Sequence, residues 1–326
     1  MRVLITGASG FLGSHISEAF AADGHTVRLL VRRTSSRKFL TFPYEEAPGD
    51  VTDPASLRIS LEGVDAVVHA AGLIKARSDN EFAAVNERGT ANLVQAALDV
   101  APALKRFIYI SSIAAHGSSP DCTPRPVDAA PKPITAYGVS KLGGERAVRR
   151  SGLADRSVTF RMPAIYGPRD PALLPFFQLT RLRIAPLLDG GRNQFSIIYA
   201  TDAASAVLQA ATAEADIGSK VYYPEDGNVY AWSDMLRAIE AAAGKKMLTI
   251  PTPRFAYQAA ALASEAFGLA TRRSVVFTRE KVREMSQPYW VCSADDLRLD
   301  LGWRPLIQAR EGAQLTYDWY KRERWL

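Results

Sequence analysis

The chain is poor in the residues that build covalent or metal frameworks. It has two cysteines, Cys122 and Cys292, and four histidines in 326 residues. Two distant cysteines cannot make a disulfide framework, and no Cys/His run has metal-ligand spacing, so no metal is expected. Such sparse cysteine use fits a reducing compartment, and a cytoplasmic location is expected. Long apolar runs are also missing. No segment reaches the roughly 18 apolar residues of a spanning helix. The nearest, 255–271 (FAYQAAALASEAFGLAT), is interrupted by Gln258, Ser264 and Glu265. The opening apolar run, Arg2 to Thr6, passes straight into glycine and does not read as an export signal. Charge of one sign is not in strong excess: Lys plus Arg exceeds Asp plus Glu by 40 − 34 = 6, and the excess is scattered. That pattern speaks against a nucleic-acid face and suits phosphorylated ligands or an anionic membrane surface. Repeats and low-complexity tracts are absent.

What is present is an ordinary globular composition, 47% hydrophobic and 23% charged. The first half alternates apolar runs with helical stretches. The runs are RVLIT (2–6), TVRLLV (26–31), AVVHAA (66–71), RFIYIS (106–111) and SVTFRM (157–162). Near-continuous apolar runs joined by helices predict parallel strands buried on both faces. After about residue 165 the alternation stops and Pro/Gly-rich loops appear. A helix in SDMLRAIEAAAG is expected to be capped by Ser233 and ended by Gly244. The predicted fold is α/β: a Rossmann-type doubly wound parallel sheet with a smaller, mixed C-terminal substrate lobe. The predicted division is a dinucleotide-binding domain over 1–164, with 195–215 returning to it, and a substrate lobe over 165–326.

The stretch TGASGFLG places Gly7, Gly10 and Gly13 between the first strand and a helix whose stripe is Ile16, Ala19 and Phe20. In that setting glycines make the turn, admit a pyrophosphate and let the helix pack on the strand. The helix N-terminus then offers free N–H groups to the phosphates.

With these residues on the page, the chain resembles the extended short-chain dehydrogenase/reductase family, of NAD-dependent epimerase/dehydratase type. Further marks stand in family order: GDVTD (49–53), VVHAAG (67–72), VNERGTANLV (85–94), RMPAIYGP (161–168) and LGWRP (301–305). The resemblance implies cofactor contacts at Gly7, Ser9, Gly10, Phe11, Leu12, Gly13, Asp50, Val51, Ala70, Ala71, Gly72, Pro163 and Ile165.

YGVSK puts Tyr137 and Lys141 on one helical face, and both are expected to touch the cofactor as well. An ammonium beside a phenol favours the phenolate and makes a general acid–base. Ser112, set before Gly117 and Tyr137 as in the family, is the expected partner for a substrate carbonyl. Asn86 resembles the family's Asn that supports a proton path behind the Lys; as residue chemistry it reads equally as a polar helix start. Family members that dehydrate nucleotide sugars carry an Asp-Glu pair directly after the hydroxyl residue. Ile113 and Ala114 stand there and cannot move protons.

Arg32 follows the second strand, where an acid would bind the ribose 2′-hydroxyl of NAD. With Arg33, Arg37 and Lys38 nearby, arginine at this position suits a 2′-phosphate, so NADPH (NADP+) is the expected cofactor and NAD the less favoured.

The second half carries the apolar segments ALLPFF, LRIAPLL and 255–271, the last followed by Arg272 and Arg273. The 255–271 segment reads as a core helix, as the wall of a lipid pocket, or as a segment resting on a membrane surface. More loosely, the second half resembles reductases encoded with bacterial sphingolipid-synthesis enzymes, which act on 3-keto long-chain bases or ceramides. The resemblance thus implies an NADPH-dependent ketoreductase of a lipid or other apolar ketone, with peripheral membrane contact at the inner face as a further expectation. A nucleotide-sugar epimerase/reductase, or a 3β-hydroxysteroid or dihydroflavonol-type reductase, stays open. It also implies a homodimer through helices 86–100 and 137–150, for which Val94 and Ala97 offer apolar side chains.

Overall fold

The computed structural model describes every residue except Arg272 and Arg273. Among the described residues, thirteen strands run in chain order. The first six are β1 (Arg2–Thr6), β2 (Thr26–Val31), β3 (Glu45–Pro48), β4 (Ala66–His69), β5 (Arg106–Ser112) and β6 (Ser157–Met162). They are followed by β7 (Ala164–Tyr166), β8 (Ile184–Leu188), β9 (Gln194–Tyr199), β10 (Val221–Tyr222), β11 (Val229–Ala231), β12 (Leu248–Thr252) and β13 (Tyr289–Trp290). The main sheet has seven strands in the order β10-β6-β5-β4-β1-β2-β3, all parallel. The order reverses between β1 and β4, and open α/β sheets bind ligands beyond the strand ends at such a point.

Two apolar layers sandwich this sheet. On one side Ile16 and Phe20 of the helix Phe11–Ala22 pack with Ala203, Val207 and Ala210 of the helix Ala200–Thr212. On the other, Leu93 and Ala97 of the helix Gly89–Val100 pack with Leu4, Val67 and Phe107. The helix Ala200–Thr212 thus covers the main sheet, and β10 joins that sheet's edge beside β6. Trp303, in the LGWRP turn, closes the same layer and donates from its indole N–H to Ser205 Oγ at 3.0 Å.

The smaller lobe holds a second sheet of β11, β9, β13 and β7, and a parallel ribbon of β8 with β12. Its core gathers Phe177, Ile239, Ala313, Trp319 and Tyr320. The helix Trp232–Ala243 ends at Gly244 in the left-handed conformation, as the sequence predicts, but Ser233 does not cap it. The helix begins two residues earlier than that cap would set it, at Trp232, and the Asp234 carboxylate takes the Ala231 N–H at 2.7 Å instead.

Two apolar expectations are corrected by burial. Val94 and Ala97 are 4% and 0% exposed, covered by the chain's own core. A homodimer through these helices would rest on the exposed Ala91, Gln95 and Val139. The 255–271 segment is not a core helix. It forms the helix Arg254–Thr271, of which only Ala261 and Gly268 are buried.

Candidate active site

The glycine loop is dictated by sterics. Gly7 leaves β1 at φ +73°, and a Cβ there would come within 2.6 Å of the Ala70 and Ala71 backbone. A Cβ on Gly13 would come within 2.1 Å of the Gly7 carbonyl oxygen. No other residue lets the loop, the end of β4 and the helix Phe11–Ala22 approach so closely. Gly10 is the N-cap of that helix and offers no capping side chain. Its own N–H goes to Gly7 O at 2.9 Å, so the first helical N–H groups, from Phe11 on, stay available for an anion. Ser9 and Leu12 are partly buried beside them. This cradle, which any Cβ would fill, fits a dinucleotide pyrophosphate.

The neighbouring strand ends complete the cleft. Thr6 Oγ1 accepts from Ala71 N at 3.1 Å and bonds His69 Nδ1 at 2.7 Å, bracing Ala70–Gly72 against β1. His69 is fully buried, and burial, with the Lys141 charge, drives it down to about 3; it is a neutral brace. Pro163 and Ile165 follow β6, whose Met162 pairs with Ser112. Pro163 is buried and Ile165 half-buried against the core.

At the adenosine end, Arg32 is 61% exposed and lies 3.8 Å from Asp50. Asp50 Oδ1 accepts from the Thr52 N–H and hydroxyl at 2.9 and 2.8 Å. Val51 is buried in the core and its carbonyl accepts from Asn92. Arg33 is exposed beside Arg32. Arg37 and Lys38 are committed elsewhere, to Glu46 at 2.7 Å and Glu323 at 3.4 Å.

The structure sets the Ser112 hydroxyl beside the Tyr137 phenol, with Lys141 one turn further along the same helix. Ser112 ends β5 and caps the next turn, its Oγ accepting from Ala114 N at 3.1 Å. Tyr137 and Lys141 lie on the helix Ala136–Arg149, capped by Thr135. Burial pushes the Tyr137 phenol up to about 12; the adjacent Ser112 hydroxyl pulls the other way, and the Glu284 carboxylate raises it further. The lowering expected from Lys141 is not found. Its ammonium donates to the Ile110 carbonyl at 2.5 Å and sits 4.6 Å over the Tyr109 ring, away from the phenol. Burial lowers Lys141 to about 8, and Glu145 opposes that.

Asn86 is neither a helix start nor a surface residue. It is fully buried inside a π-helical segment, Ala83–Arg88, a wide turn that often marks functional sites. Its amide accepts from Leu73 N at 2.7 Å and donates to Leu73 O and Ser140 Oγ. Asn86 thus ties the loop after Gly72 to the residue preceding Lys141.

One group escaped the sequence reading. Glu145 and Arg161 form a buried ion pair, with Nε to Oε1 at 3.0 Å and Nη2 to Oε2 at 2.9 Å. Ser111 donates to Glu145 at 2.6 Å, and Arg161 donates to Tyr223 at 2.8 Å, whose hydroxyl bonds His116 Nδ1. Burial lowers His116 to about 4, with the Arg161 charge adding to that. The spacing that marks Tyr137 and Lys141 continues one turn to Glu145, and that repeat is the signal that could have found it. Among the described residues no group of side chains could hold a metal ion.

A parallel sheet reversing at β1/β4, a glycine cradle at a helix N-terminus and a Ser–Tyr–Lys cluster beside it define a nicotinamide-dependent oxidoreductase. The chain belongs to the NAD dependent epimerase/dehydratase family, whose sequence pattern matches residues 3–223. A ceramide reductase of Caulobacter vibrioides is 33% identical over 99% of this chain and 96% of that protein. A 2-alkyl-3-oxoalkanoate reductase of Stenotrophomonas maltophilia is 25% identical over 96% of this chain and 97% of that protein. MoeE5, solved in complex with UDP-glucuronic acid and NAD, shares the fold at TM-score 0.78 and 22% identity, covering 99% of this chain and all (100%) of its own.

Proposed function

We propose that the protein is an NADPH-dependent ketoreductase of a hydrophobic ketone, the 3-keto group of a sphingoid base or ceramide. The observation that carries the reading is the Ser112 hydroxyl beside the Tyr137 phenol, a proton-donating site with Ile113 and Ala114 rather than carboxylates directly after the serine. Likeness to a ceramide reductase and a 3-oxoalkanoate reductase along the whole chain supports the substrate class.

The bound cofactor supplies the hydride. Ser112 Oγ and the Tyr137 phenol hold the substrate oxygen and polarise the carbonyl. Tyr137, with its pKa raised, stands neutral at pH 7 and gives its proton to that oxygen as hydride reaches carbon. Lys141, held by the Ile110 carbonyl beside Gly72, sets its positive charge toward the cofactor side of the cleft. Asn86, through Leu73 and Ser140, holds the floor of the cleft and the helix of Tyr137 in register.

Arg32 supports NADPH over NADH. A charge-assisted bond to the 2′-phosphate, worth roughly 1.5–3 kcal/mol, gives at least about ten-fold tighter binding of NADPH. Arg32→Asp is expected to erase or reverse that preference in fluorescence titrations. Equal affinities in the parent protein would count against NADPH. The substrate reading is tested by lipid mass spectrometry of a deletion strain. Accumulation of 3-keto long-chain lipids is expected, and an unchanged lipid profile contradicts it.

A further inference from the structure

The helix Arg254–Thr271 turns its apolar side chains the wrong way for a soluble surface. Its inward stripe is small or polar: Ala261 and Gly268 are buried, with Tyr257, Ser264 and Glu265 partly so. Tyr257 donates to the Pro186 carbonyl at 3.0 Å, and Glu265 pairs with Arg279 at 2.8 Å. Phe255, Leu262 and Leu269, spaced one heptad apart on the outward side, are 72%, 54% and 81% exposed. Gln258 is the one exposed polar side chain between Phe255 and Ala263, and Glu265 is the helix's one acid. A solvent-facing helix surface ordinarily carries charge. Leu248 and Ile250 add exposed apolar side chains on the adjoining β12, at 69% and 42%.

Basic residues stand along the margins of this face. Arg181, Arg183, Lys245, Lys246 and Arg254 stand at the starts of β8, β12 and the helix. Arg183 O bonds Leu248 N, which brings the β8 and β12 cations to one end of the ribbon. Among the described residues, only Lys246 of these five has an acidic partner, Glu240 at 3.6 Å. Exposed phenylalanine and leucine bordered by cations match the interface of an anionic bilayer: apolar side chains enter the acyl boundary and cations meet the phosphates.

We propose that the outward face of Arg254–Thr271, with Leu248 and Ile250, docks the protein on an anionic lipid surface. The face is mechanically close to the chemistry. Glu265 of this helix holds Arg279, the first residue of the helix Arg279–Met285. In that second helix Glu280 accepts from Ala136 N, at the start of the helix that carries Tyr137. Docking would therefore set the bilayer one helix away from the catalytic tyrosine. The inference rests on this surface and not on the substrate reading.

The test is co-sedimentation of the full chain with phosphatidylglycerol-containing vesicles and with pure phosphatidylcholine vesicles. Binding to the anionic vesicles, weakened by high salt, is expected, with at least a ten-fold loss in Leu262→Gln/Leu269→Gln. Both positions are exposed, so the variant should fold and keep the parent's turnover of a water-soluble short-chain ketone. That turnover reports on the ketoreductase reading independently of the vesicle result. No binding at low salt overturns the proposal, as does equal binding by the variant. So does light scattering that shows a parent dimer becoming monomeric in the variant, since the face would then join two copies of the chain.

Discussion

Tyr137→Phe is expected to bind NADPH as the parent does and to reduce its ketone at least about 100-fold more slowly, the scale of a lost general acid. The phenylalanine ring keeps the packing against Phe82, whose ring centroid lies 6.0 Å away, so the loss isolates the proton. Burial keeps the Tyr137 phenol protonated, and the substitution removes the hydroxyl that both polarises the carbonyl and delivers that proton. Single-turnover kinetics with saturating cofactor separate this from a binding defect. A variant that retained most of the parent's rate would remove Tyr137 from the chemistry.

Glu145→Gln is expected to lower stability by about 3–5 kcal/mol, the cost of leaving a buried charge without its partner. Arg161 would keep its bond to Tyr223 but lose the two-point contact with carboxylate oxygens, in a site where both side chains are less than a tenth exposed. The effect should reach the catalytic helix, because Glu145 lies one turn from Lys141 and sustains its positive charge. Urea denaturation of parent and variant measures the difference. A change below about 1 kcal/mol would show that the pair contributes little net stability, as exposed pairs do.

The parts of this molecule written as local patterns were legible in the chain. β1, β2 and β6 have the bounds that their apolar runs announce, because buried parallel strands need continuous apolar residues. The glycine cradle was legible because backbone contact at Gly7 and Gly13 tolerates no side chain. Features set by long-range contact were not. Whether Val94 faced a partner or its own core depended on where β1, β4 and β5 lie, which helical spacing does not encode. The same holds for the outward apolar side of Arg254–Thr271: composition marks the residues, and only packing shows which side is covered. The direction of the Lys141 ammonium depended on the Ile110 carbonyl and the Tyr109 ring, both on β5. From the sequence Asn86 reads as a polar residue of this helix, but its tie across the cleft needs the π-helical turn that points it inward.

The central claim is a reductase whose site takes a long apolar ketone. Its most direct test is kcat/KM for NADPH oxidation with 3-keto long-chain bases of increasing length, beside UDP- and TDP-hexoses. Each methylene that the site buries is worth roughly 0.8 kcal/mol, about four-fold in kcat/KM, until the site is full. A steep rise with chain length and no turnover of nucleotide sugars is the predicted result. Robust turnover of a nucleotide sugar, with every long-chain ketone inert, would contradict it.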